Sequence, residues 1–225
     1  MAKKWQLWLS PRPSRTQTPA GPRILSPHDA AMYEFNYEPN GGLVVTETHY
    51  ADNPVVRAGK SGPPLHIHLR QTEYFEVVQG VLGAVKNEKE VAWTKDDGLL
   101  KITPGTRHRF WPHSSNTDQN LVFKVWAEPQ DLDLGFDESY LRAGLGYLRD
   151  CQREGMEPSV FQLALLGCSS ETVLTPSFWM PIWLLKGVHH ALAYWIAKPL
   201  LGYEETYPEY AVPEGGRGRG TKKTK

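Results

Sequence analysis

Between residues 33 and 128 the chain divides into short segments rich in aromatic and β-branched residues, each bounded by turn signals. The segments cover 33–37, 43–50, 65–69, 73–78, 81–87, 90–94, 99–102, 108–111 and 121–126. Asn40-Gly41-Gly42, Gly62-Pro63-Pro64, Gln79-Gly80, Asp96-Asp97-Gly98 and Pro104-Gly105 punctuate them. Such segments are too short for stable helices and have the composition of strands. Many short strands repeating every eight to twelve residues or so can bury an inner face only in an antiparallel sandwich or small barrel.

The flanks have a different texture. Residues 1–28 hold five prolines between 11 and 27 and no acid, which predicts a basic, disordered leader. After the barrel segment, 29–128, residues 129–213 read as a helical extension. Asp137 or Ser139 caps a first helix reaching about Glu154, a second covers 159–166, and a strongly apolar one covers 182–198. Residues 214–225 form a Gly/Arg/Lys tail with the composition of disorder.

Charge and cysteine content narrow the function. Lys+Arg 25 balances Asp+Glu 25, but residues 1–28 and 215–225 each carry five basic residues and no acid, leaving a net of −10 between them. An acidic body argues against nucleic-acid binding by bulk charge. Two cysteines exclude a disulfide scaffold and a cysteine-only zinc site, and fit reduced residues in a cytoplasmic protein.

Chemistry concentrates in two runs. In the first, His66-Ile67-His68 on a strand presents two imidazoles on one face, with Glu73 five residues later. The second is Thr103-Pro104-Gly105-Thr106-Arg107-His108, a third histidine just past a tight turn. Three imidazoles and one carboxylate facing into a β-barrel suit a divalent transition metal: iron, manganese, nickel, copper, cobalt or zinc.

These residues resemble the cupin superfamily. Its first motif, His-X-His, a short gap, Glu, six residues and Gly, is matched by His66, His68, Glu73 and Gly80. The glycine expected six residues before the first histidine is Lys60, with Gly59 and Gly62 beside it. The second motif is matched at Gly105 and His108, with Thr103 in the place of a proline and Pro112 in the place of an asparagine. The resemblance covers roughly residues 35–128. It implies a mainly β protein: an antiparallel jelly-roll β-barrel with a C-terminal α-helical extension, a metal on His66, His68, Glu73 and His108, and a homodimer.

The resemblance also implies an oxidoreductase, dioxygenase-like and using Fe(II), that acts on a small aromatic or polyketide-like molecule in secondary metabolism. A metal-dependent isomerase or cyclase and a non-catalytic binding module remain alternatives. Glu73, Tyr74 and Glu76 are the candidates for proton transfer, and Gln71, Phe75, Arg109, Phe110 and Phe123 for the substrate pocket. Barrel-core packing is an equal reading for the three phenylalanines. His113 reads as a turn histidine and His49 as one on an early barrel strand. The helix over 182–198 has three readings: packing on the barrel or on a second subunit, peripheral contact with a membrane, or a span.

Overall fold

The computed structural model describes residues 3–19, 21–116 and 118–211. The expected tail, 214–225, lies outside the described residues. Nine strands occupy the nine segments singled out in the sequence. These are β2 (Ala31–Tyr37), β3 (Leu43–His49), β4 (His66–His68), β5 (Thr72–Gln79), β6 (Leu82–Lys86), β7 (Lys89–Trp93), β8 (Leu99–Ile102), β9 (His108–Pro112) and β10 (Leu121–Glu128). With β1 (Arg23–Leu25) and β11 (Thr172–Leu174) they form two antiparallel sheets. One runs β1-β2-β3-β10-β5-β8 and the other β11-β4-β9-β6-β7. The protein is therefore mainly β with the jelly-roll arrangement of two sheets. Among the described residues no ladder joins one sheet to the other, so the barrel is not closed by hydrogen bonds.

The core lies between the sheets because inward positions alternate with outward ones. On β3 Leu43, Val45, Glu47 and His49 point in, and on β10 Leu121, Phe123, Val125 and Ala127 do. Phe75, Phe110 and Phe123 pack on one another at 5.0 to 5.8 Å between ring centroids. Each buried ring of this kind stabilises the fold by roughly 1.5–3 kcal/mol. Gly62 is required by close approach: a Cβ there would stand 1.8 Å from the Phe110 carbonyl oxygen. The motif glycine missing at Lys60 is thus supplied two residues later.

Two expectations about the flanks are corrected. The leader is ordered over its described residues. Helix α1 (Lys4–Leu9) precedes an extended strap, and β1 pairs with β2. The strap's polar groups find acceptors and donors elsewhere in the chain. Arg12 donates to the Gly202 carbonyl at 2.8 Å and lies over the Tyr203 ring, and Thr16 donates to Asp150. Proline-set extension leaves these groups available, so tertiary contacts order a segment whose composition alone cannot.

The extension, in turn, is not wholly helical. After α2 (Pro54–Arg57) in the barrel come α3 (Glu138–Arg153), capped by Asp137, and α4 (Val160–Ser169), capped by Ser159. The chain then re-enters the smaller sheet as β11, pairing Thr172 with His68 and Leu174 with His66. Helix α5 (Ile182–His190) follows and continues as a π-helical stretch over Ala191–Ala197. No helix among the described residues is long and apolar enough to cross a membrane.

Candidate metal centre

β4 places His66 and His68 on the inner face, and its neighbour β9 sets His108 directly opposite His66. The turn over residues 69–71 carries the chain from the smaller sheet to the larger, so Glu73 on β5 reaches back from the facing side. Gly105, at φ 80°, makes the turn that precedes β9, and its N–H donates to the His68 carbonyl at 2.9 Å. All four side chains are buried, and one ligand atom from each lies within 4.8 Å of the others.

Hydrogen-bond roles show what this cluster lacks. His66 Nδ1 donates to the Pro64 carbonyl at 2.9 Å, and His108 Nδ1 donates to the Thr106 carbonyl at 3.0 Å. The Thr172 hydroxyl donates to the Ser170 carbonyl and so accepts from His68 Nδ1 at 3.1 Å. Each neutral ring then carries its proton on Nδ1 and a bare lone pair on Nε2. His108 Nε2 lies 2.9 Å from Glu73 Oε2, and buried His68 Nε2 has no hydrogen-bond partner. Lone pairs crowded against a carboxylate call for a cation among them, so the donor set fits a divalent transition metal. Burial and then the two neighbouring imidazoles hold His66 well below the usual histidine range.

A second polar cluster lies deeper. Tyr33 on β2 is the cross-strand partner of Glu47 on β3. His49 places Nε2 3.3 Å from Glu47 Oε2 and Nδ1 2.8 Å from Ser61 Oγ. Burial raises Glu47 above the usual carboxylate range, with Glu73 adding to the rise and His49 and Tyr33 opposing it. Both ends of this chain, Tyr33 and Ser61, open on a cavity of about 450 Å³ between the sheets and helices α3 and α4. His66, Tyr140, Leu145 and Leu163 also line it. Tyr140 and Thr172 both line the cavity, so its wall includes the residue that orients His68.

The structure brings together His66, His68, Glu73 and His108 and places the other candidates elsewhere. Period-two alternation on β5 turns Tyr74 and Glu76 away from Glu73. Tyr74 stacks on Trp126, and exposed Glu76 pairs with Lys124 at 3.2 Å. Phe75, Phe110 and Phe123 belong to the core rather than to the cavity wall. Arg109 is exposed over Trp111, and Gln71 is buried, donating to the Pro129 carbonyl and accepting from Phe136 N–H. His113 bonds Ser115 at a turn, whereas His49 does point inward. Tyr33, Glu47, Ser61, Tyr140 and Thr172 went unrecognised. Alternation along 31–37 and 43–49 places Tyr33 and Glu47 inside, but nothing near Thr172 signals that its three-residue strand pairs with β4.

Two facing antiparallel sheets that converge three imidazoles and one carboxylate between them are the architecture and donor set of a cupin. No family model matches the chain. It is 54% identical to the protein named probable oxidoreductase virH of Hypocrea virens over 217 residues, covering 96% of this chain and 99% of that one. Identity to the oxidoreductase iacF of Pestalotiopsis fici is 52% over 206 residues, 90% of this chain and 100% of that one. Among solved structures it is similar to the Cnp3 cupin domain of Schizosaccharomyces pombe, at 10% identity and a TM-score of 0.33, covering 57% of this chain and 73% of that one. The chain belongs to the family that includes virH and iacF, and its fold is cupin-like.

Proposed function

We propose that this protein is a metal-dependent oxidoreductase, with Fe(II) held by His66, His68, Glu73 and His108. Its substrate is a small, largely apolar molecule, aromatic or polyketide-like, of secondary metabolism. The observation that carries the reading is the juxtaposition of an unsatisfied three-imidazole, one-carboxylate cluster with a largely apolar cavity that opens on His66. The names of the two relatives support the redox assignment. A divalent iron held there supplies the activation of dioxygen.

The chain's own residues do the rest. Leu145 and Leu163 on α3 and α4 offer apolar contact to the substrate and keep bulk water from the cavity. The Tyr140 phenol, on the cavity wall with Thr172, marks where a polar substituent is oriented. Ser61 Oγ accepts a proton from the substrate as its own proton passes to His49 Nδ1, and Glu47 steadies the imidazolium that forms. That relay equally suits a metal-assisted isomerisation, so the isomerase or cyclase reading is retained as the second.

The test is elemental analysis of the untagged protein beside a His66→Ala/His108→Ala double variant, followed by oxygen uptake with candidate aromatic substrates. About one transition metal per chain, lost in the variant, is the expected result. Protein that neither contains nor takes up Fe²⁺, Mn²⁺, Ni²⁺ or Zn²⁺ would overturn the proposal. Turnover without oxygen consumption would shift the reading to an isomerase.

A further inference from the structure

Two helices of this protein are mounted with their apolar sides outward. In α1 the buried residue is Gln6, followed one turn later by buried Ser10. Gln6 Nε2 donates to the Leu200 carbonyl at 2.9 Å, and Ser10 Oγ bonds the Tyr203 hydroxyl at 2.7 Å. The polar side of α1 therefore grips the protein, and Trp5, Leu7, Trp8 and Leu9 face solvent. Along α5 and its π-helical continuation the buried stripe is Leu185, His189, Ala193 and Ala197, mostly small or polar residues. Trp183 and Trp195, 75% and 70% exposed, lie outside it, as do Leu184 and Val188.

The two helices meet at Leu200, itself exposed, and Trp179 adds a further ring, 76% exposed, just before α5. A monomer in water gains nothing by exposing five tryptophans on elements joined at Leu200, and exposed apolar surface of this extent marks an interaction site. Charge indicates the occupant. Lys3 and Lys4 are exposed at the start of α1. No acid occurs in residues 1–28 or 172–198, although the chain between its basic ends is acidic. Tryptophan beside lysine is the composition of a surface that sits among lipid headgroups, rings in the acyl boundary and ammonium groups at the phosphates.

We propose that α1, Trp179 and the outer side of residues 182–200 form a docking surface for a membrane bearing anionic lipid. The test is flotation of the full chain with vesicles of phosphatidylcholine alone and of phosphatidylcholine mixed with phosphatidylserine, with tryptophan emission followed in parallel. The expected result is flotation with the anionic vesicles, weaker flotation with the neutral ones and a blue shift of the emission.

Trp8→Ser/Trp183→Ser/Trp195→Ser should weaken vesicle binding by more than about tenfold, since half-burying even one ring accounts for that much. Its metal content and melting temperature should stay unchanged, because all three rings are exposed. Lys3→Gln/Lys4→Gln should cost roughly fivefold per charge on anionic vesicles only. Absence of flotation with either vesicle would overturn the proposal, and equal flotation with both would overturn the anionic commitment. A concentration-dependent dimer that dissociates in the triple-tryptophan variant, without flotation of the wild type, would assign the surface to a second copy instead.

Discussion

The barrel contains two buried polar clusters, and they differ in one respect. In the chain Glu47–His49–Ser61 donors meet acceptors: His49 Nε2 donates to Glu47, and Ser61 donates to His49 Nδ1. At His66, His68, Glu73 and His108 the Nδ1 protons are committed to Pro64, Thr172 and Thr106, so the groups left facing one another are all acceptors. A matched cluster is complete in itself and can relay protons. A mismatched one holds together only around a cation. Similar residue types at similar burial thus do different work, and the hydrogen-bond roles of the second ring nitrogen separate them.

The comparison can be broken by substitution, starting with the largest effect. Glu73→Gln removes the only negative charge among the four ligands, so metal should be lost on dialysis while the fold persists. Retention of full metal by that variant would remove Glu73 from the ligand set. Thr172→Val keeps the shape of the β11 residue but deletes the acceptor for His68 Nδ1. Losing such an orienting partner should lower metal affinity about 10- to 100-fold, read by competition with a chelator. An unchanged affinity would show that strand pairing alone orients His68.

Glu47→Ala sharpens the contrast from the other side. It leaves the His49 Nε2 proton buried without its partner, which should cost about 1–3 kcal/mol in chemical denaturation. Metal content should not change. Were the metal lost as well, the two clusters would have to be treated as one site.

The four residues of the candidate metal centre were legible because alternation and spacing are local. His66 and His68 share a face wherever β4 lies, and the Pro104-Gly105 turn announces His108. Tyr74, Glu76 and Arg109 were chosen for nearness in sequence to a ligand. In a strand the next residue faces the opposite way, and the same alternation carries them out of the site. Phe75, Phe110 and Phe123 do point inward, but inward includes both core and cavity, and only the position of α3 and α4 divides the two. Helix 182–198 was legible as a helix. Its buried stripe, Leu185, His189, Ala193 and Ala197, follows the four-residue spacing of one helix face.

By itself the sequence determined the nine strands between residues 31 and 128, the capped starts of α3 and α4, and the four residues that could hold a metal. Each of those depends on neighbours a few positions away, through side-chain alternation, capping and turn chemistry. Only the tertiary structure decided that the leader is ordered, that Thr172 pairs with His68, that the cavity lies beneath α3 and α4, and that two helices turn their tryptophans outward. Each depends on how separate elements pack, and a contact such as that of Thr172 with His68, 104 positions apart, leaves no periodic mark on either segment.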